Sequence, residues 1–300
     1  MPESLPPALL IGVAGLVYGL AMRRPLRVVP GPSRRFGERR RRAAAFYLGL
    51  TTMMVALVGP IDSLSEQLFW VHMLQHLLLM MVAAPLIVIG APWLSPIRLL
   101  SSRGRRALGH AAFSSTWSAP LRSMGRSLGN PATAWVAFNA NLVVWHVPVA
   151  YDETLRSQAV HDLEHVSFVV LGILFWAQVI DSRPFLGRLN DLQRALYLTG
   201  AAMVGWGLSI FLAFAPTVLY APYASLARRP AGISALADQQ LAAGVMWGPG
   251  SIAFGVGVFV SLYRWLGADA AAGAPIPGSA VLSGARGPMR KTGTDPGGLT

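Results

Sequence analysis

Residues 68–91 read LFWVHMLQHLLLMMVAAPLIVIGA, a stretch without Asp, Glu, Lys or Arg and long enough to cross the hydrocarbon of a bilayer as a helix. Lipid offers backbone amides no partner, so such a segment at that depth satisfies its own hydrogen bonds and is helical. Working outward, residues 5–22, 43–60, 131–151, 160–180, 192–217 and 241–266 meet the same test. The 300 residues are 53% hydrophobic and 13% charged, too few charges to cover a water-soluble body, since about 25% is ordinary there. The expected fold is all-α: a polytopic membrane helix bundle of about seven transmembrane helices. Residues 1–266 form the membrane domain, with basic loops at 23–42 and 92–130. Residues 267–300, rich in Gly, Ala and Pro, form a disordered tail. The start lacks a basic leader, so residues 8–22 read as a retained span rather than a cleaved signal peptide.

The excess of 25 basic over 13 acidic residues gives a net charge of +12, and its placement decides its meaning. Seven spans divide the remaining segments into two alternating sets. All Lys and Arg except Arg156, Arg228 and Arg229 fall in one set: loops 23–42 and 92–130, the turn at 181–194 and the tail. The positive-inside rule puts the N-terminus outside and the C-terminus in the cytoplasm. Arginines such as Arg39–Arg42 then face anionic lipid head groups. Nucleic acid is excluded as a partner, because the basic residues are spread over several loops and no recognition motif accompanies them.

Histidine plays no part in that topology, yet five of six histidines fall at outer span ends: His72, His76, His146, His161 and His165. Two pairs have four-residue spacing, His72-Met-Leu-Gln-His76 and His161-Asp-Leu-Glu-His165, which stacks both imidazoles of a pair on one helical face. A metal site is the reading, with His146 from a neighbouring helix, Met73 and Met246 as thioether donors, and Asp62, Glu164 and Asp238 as carboxylates orienting imidazoles. Blander readings stand beside it. Any single histidine is explained by an interfacial position, methionines such as Met53, Met54 and Met80 by packing, and Asp162 and Glu164 by the dipole of a helix capped at Ser157. Trp70, Trp145, Trp247 and Tyr151 fit an aromatic belt. Imidazole with thioether selects copper, with zinc next. The absence of cysteine excludes disulfides and thiolate ligation.

These residues resemble the CtaG family of cytochrome c oxidase assembly factors. The resemblance rests on Asp62 ahead of His72-Met-Leu-Gln-His76-Leu-Leu-Leu-Met-Met, on Gly90-Ala-Pro92, and on Trp145-His146-x-Pro148-x-x-Tyr151-Asp152. It continues through His161-x-Leu163-Glu164-His165-x-Ser167-Phe168, Asp238-Gln239-Gln240-Leu241 and Met246-Trp247-x-Pro249-Gly250. It implies a bacterial inner-membrane protein without catalytic residues that assembles a haem-copper oxidase, with copper delivery to oxidase subunits as its role. Two rivals remain. His161-x-x-Glu164-His165 formally satisfies an inverted zinc-peptidase pattern, which would make the chain an intramembrane zinc-dependent hydrolase. A copper transporter would need polar groups through the bundle, for which Gln75, Asn139 and Asn141 are candidates, although those amides also suit bonds between helices.

Overall fold

The computed structural model describes residues 5–23, 34–113, 115–116, 118–182, 188–226 and 228–273. Among them the fold is all-helical, without a strand. In chain order come α1 (Leu5–Arg23), α2 (Arg34–Leu57), α3 (Pro60–Ser65), α4 (Phe69–Leu77), α5 (Ala84–Gly90), α6 (Ser95–Leu99), α7 (Ser102–Phe113) and α8 (Ala119–Leu128). There follow α9 (Pro131–Trp145), α10 (Pro148–Thr154), α11 (Gln158–Trp176), α12 (Asp191–Phe214), α13 (Ala221–Ala224) and α14 (Ala235–Gly273). Four helical stretches are long and apolar enough to cross a membrane: Phe69–Gly90, Gln158–Trp176, Asp191–Phe214 and Ala235–Ala268. Apolar side chains on α12 and α14, among them Phe211, Phe214, Phe259 and Tyr263, point outward, as lipid-facing surface requires.

Several sequence boundaries move. The basic segment 23–42 is not wholly a loop, because α2 begins at Arg34 and carries the arginine run on its first turns. Arginine is a good helix former. Glu38 and Arg42 pair at 2.6 Å one turn apart, and the Arg39 guanidinium donates to the Met22 carbonyl at the end of α1. The stretch 131–151 is not one helix: α9 stops at Trp145 and α10 restarts at Pro148. Pro148 disfavours helical backbone in the residue before it, and Val147 is extended (φ −69°, ψ 126°). Beyond residue 266 the chain stays helical to Gly273, where Ala268 and Ala270–Ala272 sustain α14. The rest of the expected tail, 274–300, lies outside the described residues, as do 24–33 of the first basic loop and 183–187 of the turn.

The stretch Phe69–Gly90 holds the bundle together. Its middle, Leu78–Ala83, widens into a π-turn in which the Ala84 amide reaches back to the Leu79 carbonyl. Pro85 has no amide to offer, so the Met80 carbonyl is left without a donor from its own helix. The Trp176 indole on α11 fills the vacancy at 2.9 Å. Around that bond packs the main core, with Phe138, Phe168, Phe175, Leu198 and Phe254. Close approach is bought with glycine: a Cβ on Gly172 would lie 3.1 Å from the Ala84 Cβ, and one on Gly90 would lie 2.6 Å from the Phe46 Cβ. The stretch thus runs through the bundle with α2, α11 and α14 against it. That arrangement brings its first two turns, with His72 and His76, to the start of α11.

Candidate metal centre

The i, i+4 spacing does what helix geometry demands: on α4 the rings of His72 and His76 lie 4.4 Å apart, and on α11 those of His161 and His165 lie 4.2 Å apart. The two faces meet. His72 and His161 stand 5.2 Å apart between ring centres, and His76 and His165 stand 5.5 Å apart. Between them sits Glu164, with no exposed surface, its carboxylate oxygens 3.4 Å from His72 Nε2 and 3.6 Å from His76 Nε2.

Ligand atoms of His72, His76, Glu164 and His165 all lie within 4.8 Å of one another. Both Glu164 oxygens and the Nε2 atoms of His72, His76, His161 and His165 are buried without a hydrogen-bond partner. Such an accumulation of unsatisfied polar atoms is costly in a protein interior. A cation would resolve it, since a carboxylate oxygen and the unprotonated nitrogen of an imidazole each offer a lone pair. Three imidazoles and a carboxylate suit copper(II) or zinc.

The ring of His72 is held from behind. The Tyr223 hydroxyl donates to the Ser65 carbonyl at 2.6 Å, so towards Tyr151 its oxygen only accepts. Tyr151 lies 3.2 Å from that oxygen and 2.8 Å from His72 Nδ1. The consistent direction runs His72 Nδ1–H to Tyr151, Tyr151 O–H to Tyr223, and Tyr223 O–H to Ser65. Nε2 of His72 is then bare and turned towards Glu164, as a metal ligand requires. Burial pushes the Tyr223 phenol up, so it remains a donor. Replacing Tyr151 with phenylalanine removes the relay without emptying the space. Metal affinity, measured by competition with a chelator, is expected to fall about 10- to 100-fold with little change in unfolding temperature.

Asp62 accepts from the Gln75 amide at 3.0 Å, and the same amide nitrogen reaches across to the Ala56 carbonyl of α2 at 2.8 Å. Burial pushes the Asp62 carboxyl above its ordinary range, against the pull of the Gln75 bond. With Glu66, Gln158 and Asp162 it lines a polar opening that reaches His161 and His165. Asp238 stands elsewhere in role: its two oxygens accept from the Phe69 and Trp70 amides at 2.9 and 3.0 Å, capping α4 from α14. It fixes the helix that carries His72 and His76. His146 ends α9 and faces Met73 at 3.3 Å, and Met246 lines the same small cavity, so these three gather beside the cluster rather than within it. Met53 and Met54 pack against the cluster of Ile11, Phe46 and Leu50, and Met80 lies in the main core.

Some functional side chains escape sequence reasoning. Tyr151 does not belong to an aromatic belt: it is fully buried and bonded to His72, whereas Trp247 is exposed. Position at a span end is the same for both, and only the tertiary partner separates them. Tyr223 lies in the four-residue helix α13, with no periodic signal. Ser157 occupies the N-cap of α11 but its side chain makes no capping bond. Asn139 and Asn141 hydrogen-bond within α9, to the Trp135 carbonyl and the Trp145 indole.

The family model described as cytochrome c oxidase caa3 assembly factor (Caa3_CtaG) matches residues 16–268. The chain is similar to an uncharacterized protein of Mycobacterium bovis and one of Mycobacterium tuberculosis, each 26% identical over 246 residues, covering 79% of this chain and 36% of the relative. An uncharacterized protein of Mycobacterium leprae is 22% identical over 230 residues, covering 76% of this chain and 34% of its own length. The chain therefore spans about a third of the curated relatives it matches. No solved structure matches it.

Proposed function

Because the chain belongs to the cytochrome c oxidase caa3 assembly factor (CtaG) family, we propose that it binds copper at His72, His76, His165 and Glu164 and hands it to haem-copper oxidase subunits. The observation that carries this reading is the set of buried imidazole nitrogens and carboxylate oxygens that converge from α4 and α11 without hydrogen-bond partners. His161 and His165 line the opening with Asp62 and Asp162, so they are the imidazoles an arriving cation meets first. Copper is cargo here, and the chain's own work is to bind, orient and release. No residue is assigned a catalytic role.

The topology proposed with it has seven spans in a bacterial inner membrane, N-terminus outside and C-terminus in the cytoplasm. Residues 1–266 make up the membrane domain and 267–300 a tail. The cluster then opens at the outer surface, and the arginines of α2 and of 92–130 sit against anionic lipid on the other. Zinc is the second reading, favoured by the all-nitrogen-and-oxygen donor set.

The test follows both metal and oxidase. Protein purified in detergent from copper-supplemented cells should carry copper, and oxidase from cells lacking the chain should be short of copper. His72→Ala with His76→Ala should fail to restore it. An oxidase fully loaded with copper in the absence of the chain would reject the proposal, and zinc alone in the purified protein would select the second reading.

A further inference from the structure

The His146 ring presents a problem of donors. Its Nδ1 stands 2.7 Å from the Leu142 carbonyl, which only accepts, so the proton of the neutral ring is on Nδ1. Nε2 is then a bare lone pair, and 3.3 Å from it lies the Met73 sulfur, another lone-pair donor. No hydrogen joins the two. Both side chains are buried, His146 at 6% exposure and Met73 at 1%. Zinc lies about 2.0 Å from an imidazole nitrogen and about 2.3 Å from a thiolate sulfur, and at bond lengths of that order one ion reaches two donors about 3.3 to 3.5 Å apart. The observed separation already has that value.

We propose that His146 and Met73, with Met246 from α14, form a second site selective for a soft monovalent cation, copper(I) by class. The cavity they share also contains Met80 and one face of His76. His76 belongs to the first centre too, so a single imidazole forms the wall between a nitrogen-and-oxygen site and a nitrogen-and-sulfur site. Thioether and imidazole together favour a soft ion, whereas the carboxylate of Glu164 favours a harder one. The sequence supplies both donor types at one membrane face, and the fold sorts them into neighbouring compartments. The inference deepens the reading of copper as cargo, but its own test does not depend on that reading.

The probe is silver(I), a redox-inert stand-in for copper(I), titrated into the full-length protein in detergent and followed by calorimetry and X-ray absorption. Wild-type protein should bind silver with sulfur in its coordination shell, and Glu164→Gln should leave that binding unchanged. Met73→Leu, which conserves volume, should weaken silver at least tenfold and remove the sulfur signal while zinc(II) binding at the first centre persists. Met246→Leu, at a less crowded position, should weaken silver in the same direction. A silver shell of nitrogen alone, or silver affinity unmoved by both methionine changes, overturns the second site. Silver affinity lost equally in Glu164→Gln means one shared centre and overturns it as well. Silver bound with sulfur in a protein that takes no zinc(II) or copper(II) would leave this site standing and reject the first.

Discussion

Glu164→Gln is expected to lower the affinity for copper(II) or zinc by at least about 100-fold, equivalent to about 2.8 kcal/mol, while leaving the metal-free protein folded. Among the described residues, Glu164 is the carboxylate that lies against both His72 and His76, at 3.4 and 3.6 Å, and it is wholly buried. An amide of the same shape keeps the packing and can donate to a bare imidazole nitrogen. It supplies no negative charge to a dication, and in a buried site that charge is poorly replaced. Competition with a chromophoric chelator reads the affinity, and thermal unfolding without metal, expected to move by only a few degrees, reads the fold. The same change separates the hydrolase: there glutamate activates a metal-bound water, and glutamine would abolish hydrolysis but keep the metal. Undiminished affinity would remove Glu164 from the ligand set.

The largest structural effect is expected at Gly90. An alanine Cβ there would sit 2.6 Å from the Cβ, 2.9 Å from the Cα and 3.0 Å from the backbone nitrogen of Phe46, so α2 and α5 would have to separate. Separation also strains the Tyr18 hydroxyl bond to the Gly90 carbonyl, now 3.1 Å. A loss of about 3 kcal/mol is expected for Gly90→Ala, the upper end for overpacking. Gly257 is the internal control. A Cβ there would lie 2.6 Å from Cδ1 of Leu198, the far end of a flexible side chain, with the Trp176 ring at an ordinary 3.7 Å. Gly257→Ala should cost about 1 kcal/mol. Equal losses in detergent unfolding at the two positions would show that backbone contact is not what distinguishes them.

Much of the centre was legible in the chain. Spacing of four puts His72 on the face of His76 and His161 on that of His165, and a topology computed without histidine puts all of them at one surface. What spacing does not carry is which faces meet. That Glu164 rather than Asp238 enters the cluster depends on α11 turning inward beside α4 and on α14 reaching the start of α4. Residues far apart in sequence decide both. His146 was readable as a donor, yet its separation from the other four follows from the break before Pro148, a local conformation that moves the ring towards Met73. The arginine run misleads in the opposite sense: charge argues for a loop, while helix propensity and the Glu38–Arg42 pair carry α2 back to Arg34.

The cluster draws its donors from α4 and α11, and the cap on α4 comes from α14. Synthesis proceeds from the N-terminus, so His72 and His76 are made before the carboxylate that stands between them in the folded protein. Glu164 and His165 arrive only after α9 and α10 have been made, and Asp238 arrives later still. No truncated product ending before α11 contains this centre. On the proposed function, metal capture therefore has to wait until α11 has been made and has packed against α4.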